Sequence, residues 1–180
     1  MTIGNEKLRW GPGYKGTLGW SGTGPAPMMY YHITANLGRV ARLQSFLAGF
    51  GDEEAMYRAE LDSAWARDTL PTGVSYSNIP ARYGAGQRID VALGKHVQLG
   101  VYEFVDFFGS ADLTRYANPL QVYYTGAHTD AANAGNLLGG IDCNVLLGPV
   151  RVYGEFINDD ITVFGDLGNP NRWAWMGGVQ

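Results

Sequence analysis

The chain has little cysteine, little charge and no long hydrophobic run, and each shortage excludes a class of protein. Cys143 is the one cysteine among 180 residues, which excludes an internal disulfide framework and a zinc site built from cysteines. Charged residues make up 17 % of the chain, against ~25 % in an average soluble domain. No run of ~20 apolar residues occurs, so the sequence predicts no transmembrane helix.

The sequence also has no block of basic residues, and we do not expect its first residues to act as a secretory signal. Lysine and arginine number 13 against 17 acids, a formal charge of −4, so nucleic acid is not expected as a partner. The first ten residues have neither the basic region nor the apolar stretch of a secretory signal. The three histidines are isolated, without HxH or HxxxH spacing, so we predict no metal site and no cofactor.

Glycine and aromatic residues are what the chain has in excess. The 26 glycines are about twice the usual ~7 %, and aromatic residues reach 13 %. Together with the low charge, this composition indicates an all-β chain with many turns, either soluble or forming a membrane barrel.

Alternation of apolar and polar residues, which is typical of half-buried strands, dominates the chain. It occurs at 28–36, 88–93, 120–125, 141–147 and 150–159, and further strand-like runs lie near 7–10, 40–48, 97–105 and 173–179. Residues 94–96 and 148–149 are glycine-containing breaks that predict hairpin turns. The sequence therefore predicts an antiparallel all-β fold of about nine or ten strands, as a single domain over residues 1–180.

Residues 52–67 depart from this pattern. Tyr57, Leu61 and Trp65 recur at helical spacing, and Asp52 is a suitable N-cap. We expect one short helix over 52–67 inside a long loop, 50–81. A long connection in a tightly turned β chain is usually functional or exposed.

The alternation leaves the environment of the strands open. One face of several strands carries charge, including Arg88, Asp90, Arg151 and Glu155. A soluble sandwich would turn this face to water, whereas a membrane barrel would turn it to the lumen and the apolar face to lipid.

Two groups of residues are candidates for chemistry. Trp10 and Tyr14 flank a Gly-Pro-Gly turn and offer flat faces suited to sugar rings, and the alternative is a purely structural turn. Carboxylates gather in the last part of the chain, at Asp142, Glu155, Asp159 and Asp160. Such acids serve glycosidases, hold Ca²⁺, or line a lumen or surface in pairs with arginines.

Glu103 stands against the pattern of its own strand. It falls on the same face as Val97, Leu99 and Val101. Either a β-bulge lies nearby or Glu103 lies beyond the apolar band, and its placement is a modest indication of function.

Four ordered segments resemble the capsule-assembly Wzi family of bacterial outer-membrane barrels. They are 7–21 (KLRWGPGYKGTLGWS), 83–90 (YGAGQRID), 99–103 (LGVYE) with 116–120, and 136–142 (NLLGGID) leading into 152–160. The set spans nearly the whole chain, although no single motif is diagnostic. Gln87 departs from the family pattern, in which histidine often precedes the residue matching Arg88.

The resemblance implies an antiparallel up-and-down membrane β-barrel in the bacterial outer membrane. It implies a non-enzymatic, lectin-like protein whose partners are capsular or exopolysaccharide and outer-membrane lipid. The residues expected to contact polysaccharide are Trp10, Tyr14, Arg88, Asp90, Glu103, Asp142, Glu155, Asp159 and Asp160. Each of them has a structural alternative, as part of the ion pairs that hold the barrel in shape.

Family members are longer, so we expect this chain to be an internal fragment or a truncated product that lacks strands of the full barrel. Two other functions stay open at this point. One is a carbohydrate-active hydrolase that uses a carboxylate pair on a β scaffold, and the other is a passive outer-membrane pore.

Overall fold

One antiparallel sheet contains all the regular elements that the structure describes. The computed structural model describes residues 2–6, 9–14, 16–19, 28–49, 82–108, 116–123, 136–159 and 172–180. The strands are β1 (Thr2–Glu6), β2 (Met28–Leu37), β3 (Ala41–Gly49), β4 (Arg82–Leu93), β5 (Val97–Phe108), β6 (Asn136–Leu147), β7 (Val150–Asp159) and β8 (Arg172–Val179).

The strands follow one another in the sheet in chain order. Each pairs antiparallel with its neighbours in sequence, from β1 at one edge to β8 at the other. The predicted all-β, up-and-down arrangement is confirmed to this extent. Within the described residues there are eight strands rather than nine or ten, and the sheet is not closed, because β1 and β8 do not pair.

The connections differ sharply between the two ends of the sheet. At one end, β2–β3, β4–β5 and β6–β7 are joined by two or three residues, and Gly38, Gly94 and Gly148 adopt φ of 72°, 71° and 62° in these turns. Glycine suits this left-handed conformation. The predicted turns at 94–96 and 148–149 are confirmed. At the other end, every connection runs to a dozen residues or more.

Side chains sort onto two faces of the sheet, as the period of two requires. The face we call apolar carries exposed hydrophobic side chains, including Ile89, Val101, Ile141, Phe156 and Trp175. The face we call polar carries buried charged and aromatic side chains, including Arg88, Asp90, Tyr102, Asp142 and Glu155.

Each face is partly covered by a connection that folds back over it. The inner segment, residues 9–14 and 16–19, packs on the polar face, where Trp10 joins a core with Phe46, Ala48, Tyr102 and Ile157. The outer segment, residues 116–123, packs on the apolar face towards the end with the long connections. There Tyr116 and Tyr123 join Ala85, Val105, Phe107 and Leu137.

One predicted strand was wrong. Residues 120–123 of the run predicted at 120–125 belong to the outer segment and are not in a strand. Their alternation arises because Tyr123 inserts into the core while Leu120 and Val122 point outwards. The first strand of the described residues is Thr2–Glu6, and half of the run predicted near 7–10 lies outside the described residues. The predicted helix at 52–67 and its loop, 50–81, lie outside the described residues.

Helices of the length and hydropathy needed to span a bilayer are not found in the part of the chain that the structure describes.

Candidate functional site

A buried guanidinium organises the polar face. Arg88 on β4 is 5 % exposed and binds Asp142 on β6 through both terminal nitrogens, with Nη2 at 3.0 Å from Oδ1. Its Nε donates to Oδ1 of Asp90 at 2.8 Å. Arg88 therefore bridges two carboxylates on different strands, in the two-pronged geometry that guanidinium and carboxylate groups favour.

Asp90 is surrounded by donors on every side. Gln44 donates to its Oδ2 at 2.7 Å, and Arg42 on the same strand, β3, approaches that oxygen at 3.3 Å. Gln98 reaches Oδ1 at 3.5 Å. Because a buried carboxylate is costly unless it is paired, this set of partners explains how Asp90 is held in the interior.

Glu155 fastens the inner segment to the sheet. It lies opposite Asp142 in the β6–β7 register and accepts the hydroxyl hydrogen of Tyr102 at 2.7 Å. Backbone N–H groups of Leu18 and Gly19 donate to its two oxygens at 2.9 and 3.2 Å. The carboxylate thus satisfies two backbone donors of an irregular segment, which would otherwise be left unpaired beside the sheet.

Two glycines make room for these side chains. A Cβ at Gly100 would lie 2.1 Å from Nη2 of Arg88, and a Cβ at Gly140 would lie 2.3 Å from Cζ of Tyr102. Both distances are far below van der Waals contact. The polar groups therefore lie flat against strands β5 and β6 because those strands carry no side chain at these points.

The two aromatic residues of the predicted sugar platform are not equivalent. Trp10 is buried and packs edge-on against Phe46, with ring centroids 4.9 Å apart. Tyr14 is 60 % exposed, and its carbonyl accepts a hydrogen bond from Arg9. Arg151 on β7 donates to the carbonyl of Pro12 at 2.8 Å and anchors the turn between them. The structure separates the pair into one core residue and one exposed ring.

Glu103 lies on the other face of the sheet, away from the charged network. The β4–β5 and β5–β6 registers run through it without a bulge, so the bulge that the sequence left open is excluded. Its Oε1 accepts the backbone N–H of Tyr123 at 2.8 Å. The carboxylate lies where the exposed apolar band ends and the outer segment begins.

The outer segment is held by aromatic packing around two buried phenols. Tyr116 and Tyr123 meet edge-on with ring centroids 5.4 Å apart, and the Tyr123 hydroxyl donates to the carbonyl of Tyr116 at 3.0 Å. Gln87 donates to the carbonyl of Gln121. Burial, reinforced by the nearby Glu103 charge, raises the pKa of Tyr123 to about 12.

The nine predicted site residues thus fall into separate groups. Arg88, Asp90, Asp142 and Glu155 come together on the polar face, and Trp10 packs beside them through Tyr102. Asp159 lies at the far end of β7, opposite Arg172. Asp160 lies outside the described residues.

Sequence reasoning missed several members of the network. Tyr102, Arg42 and Gln44 all contact its carboxylates. Assigning alternate residues of the runs near 40–48 and 97–105 to opposite faces would have placed these three residues on the polar face, because each of them directly adjoins an apolar residue in sequence. The described residues contain no group of three or more His, Cys, Asp or Glu side chains placed to hold a metal ion.

Comparison with protein-family models gives no match, and searches of the curated proteins and of the solved structures find no significant similarity.

Proposed function

We propose that this chain is a β-sheet membrane protein of the bacterial outer membrane that binds capsular or exopolysaccharide during its assembly, without catalysing a reaction. The membrane part of the proposal is supported by the two faces of the sheet. The polysaccharide part is supported by the ordered segments that resemble the capsule-assembly Wzi family.

The exposed apolar face is the observation that carries the proposal. Val101, Ile141 and Phe156 lie side by side in the middle of β5, β6 and β7 and are 57 %, 55 % and 41 % exposed. Trp175 extends the band onto β8. A continuous apolar surface of this kind is unfavourable in water, whereas a lipid-facing strand pattern requires it.

The connections support the same placement. Outer-membrane sheets have short turns on the inner side of the membrane and long connections on the outer side. The turns after β2, β4 and β6 are short, and the connections after β1, β3, β5 and β7 are long. The proposal therefore puts the long connections at the cell surface.

The inner segment argues for a binding protein rather than a passive pore. Trp10, Leu18 and Gly19 lie over the polar face, which would be the lumen side of a barrel. A lumen filled in this way would not conduct steadily. In a planar bilayer we expect no stable open channel, and a steady conductance of porin size would contradict this part of the proposal.

The buried charges take a supporting role in the proposal. Asp142 is occupied by Arg88, and Glu155 by Tyr102 and two backbone N–H groups. We propose that this network holds the sheet and the inner segment in shape. Contacts with polysaccharide then come from exposed groups at the rims of the sheet, such as Tyr14.

The test combines location and binding. The full chain is expressed in the native host, and outer membranes are separated on a density gradient. The purified protein in detergent micelles is then passed over immobilised surface polysaccharide from the same cells. We expect recovery in the outer-membrane fraction and retention on the polysaccharide column.

The matched control is the same protein after unfolding in urea, which keeps composition and charge but loses the sheet. Recovery of the folded protein only in the soluble fraction would overturn the membrane part. Equal retention of folded and unfolded protein, or none, would overturn the polysaccharide part.

A further inference from the structure

A cavity opens on the polar face at the end of the sheet with the short turns. Its volume is about 370 Å³, and it is lined by the β2–β3 turn and by the ends of β3, β4 and β5. The polar lining residues are Asn36, Arg39, Arg42, Asp90 and Gln98. This cavity is separate from the inner segment and from the apolar face.

The charge of the cavity is positive on balance. Arg39 and Arg42 contribute two cations to the lining, and Asp90 contributes the acid. Asp90 also pairs with Arg88 beneath it, so its charge is already offset from the interior. The Arg42 side chain touches Asp90 through Nη2 and is 48 % exposed, so about half of its surface is open to solvent.

Amide groups stand beside the two cations. Asn36 lies opposite Arg42 in the β2–β3 register, and Gln98 lies opposite Ala92, which also lines the cavity. Side-chain amides both donate and accept hydrogen bonds, as sugar hydroxyls do. Guanidinium groups favour planar or tetrahedral oxyanions. The volume is within the range of small-ligand sites and suits one sugar residue.

We propose that this cavity binds an anionic sugar, with its carboxylate or phosphate on Arg39 and Arg42 and its hydroxyls on Asn36 and Gln98. The choice of a saccharide rests on the proposed function, whereas the recognition of an anion rests on the cavity itself.

The experiment measures binding of four small probes to the purified full chain in micelles of a neutral detergent. The probes are glucuronate, glucose 6-phosphate, glucose and inorganic phosphate. Their dissociation constants are measured by isothermal titration calorimetry. We expect at least one of the two anionic sugars to bind at least tenfold more tightly than glucose and than phosphate. Arg39→Gln, in an exposed turn, should weaken its binding about tenfold, as the loss of one charged hydrogen bond predicts.

Lys95→Gln is the matched control, because Lys95 is an exposed cation in the neighbouring β4–β5 turn and does not line the cavity. It should leave binding within twofold. Equal binding of glucose would overturn the role of the anion, and equal binding of phosphate would overturn the role of the sugar. Equal losses in Arg39→Gln and Lys95→Gln would show general charge attraction and overturn the site.

The outcome is distinguishable from that of the proposed function. If an anionic sugar binds and Arg39→Gln weakens it, the cavity stands even where the polysaccharide column fails. If the column retains the protein but no probe binds, the cavity proposal fails alone.

Discussion

The two segments that fold back over the sheet are held in different ways. The inner segment is fastened by polar bonds, with Glu155 accepting the N–H groups of Leu18 and Gly19 and Arg151 donating to Pro12. The outer segment is held mainly by packed aromatic rings, with Tyr123 wholly buried and edge-on to Tyr116. Two hydrogen bonds add to this packing, from the Tyr123 N–H to Glu103 and from Gln87 to the carbonyl of Gln121. The difference is one of emphasis, since the inner segment also packs Trp10 into an apolar core while the carboxylate of Glu155 bonds its backbone.

The difference indicates what each face is built to meet. On the polar face, the buried charges of Arg88, Asp142 and Glu155 are hydrogen-bonded within the protein. The apolar face leaves its middle uncovered, with Ile141 and Val101 more than half exposed. A sheet with a broad exposed apolar surface on one face needs an apolar partner for that face, and under our proposal the partner is lipid.

The largest effect is expected from breaking the charged network of the polar face. Arg88→Gln leaves Asp142 buried without its cation and leaves Asp90 with only the half-exposed Arg42, and removing one partner from a buried pair costs about 3–5 kcal/mol. The free energy of unfolding in urea, measured in detergent micelles, should fall by that amount. Lys95→Gln, an exposed cation, should change it by less than about 0.5 kcal/mol. Equal small effects would show that the network does not stabilise the fold.

The next effect distinguishes the faces directly. Ile141→Arg places a cation on the apolar face, and an arginine at the middle of a bilayer costs about 2–4 kcal/mol. The free energy of unfolding from lipid vesicles should fall accordingly. Ala174→Arg is the control and should have little effect, because Ala174 is exposed on the polar face of β8, next to Trp175 at the level of Ile141. Little effect from both changes would contradict a lipid-facing surface.

A smaller effect tests how closely the polar face is packed. Gly140→Ala drives a methyl group into the ring of Tyr102, and overpacking of this kind costs about 1–3 kcal/mol. Gly154→Ala on the apolar face is the matched control, because its Cβ would meet nothing nearer than 3.7 Å. In thermal unfolding, the midpoint temperature of Gly140→Ala should be well below that of Gly154→Ala. The reverse order would show that the Tyr102 position is not fixed.

The smallest effect concerns the outer segment and depends on pH. Tyr123→Phe removes the bond to the Tyr116 carbonyl and should cost about 1 kcal/mol at neutral pH. The pKa of Tyr123 is raised to about 12 in the fold, above the ordinary ~10. Its stabilising contribution is therefore complete below pH ~10 and is lost as pH rises towards 12.

Unfolding curves of both proteins from pH 8 to 12 check this expectation. The stability of the parent protein should approach and then cross below that of Tyr123→Phe. A constant difference in the free energy of unfolding between the two proteins across this pH range would show that the fold does not raise the pKa of the Tyr123 phenol.

Alternation in the sequence is sufficient to predict much of the sheet and part of the site. It places Arg88 and Asp90 on the same face of their strand. It also places Asp142 and Glu155 on the face away from the apolar side chains of their own strands, because side chains alternate along a strand whatever its partners. It does not give the pairing of Arg88 with Asp142, which are 54 residues apart and meet only through the β4–β5–β6 register.

The positions of the inner and outer segments cannot be predicted from local alternation in the sequence. Tyr123 alternates with Leu120 and Val122 as a strand would, yet its N–H is taken by Glu103 rather than by a neighbouring strand. The buried position of Trp10 depends on Phe46 and Tyr102, both distant in sequence. Such contacts are decided by tertiary packing, which overrides local propensity.

The central claim, that the apolar face meets lipid and the polar face does not, is tested most directly with spin labels on β5. Single cysteines at Gln98, Leu99 and Val101 are labelled in a Cys143→Ala background, and the protein is placed in lipid vesicles. Accessibility to oxygen, which concentrates in lipid, is compared with accessibility to a water-soluble nickel complex. We predict that oxygen is favoured at Leu99 and Val101 and the nickel complex at Gln98. Access of the nickel complex to Val101 as readily as to Gln98 would contradict the account.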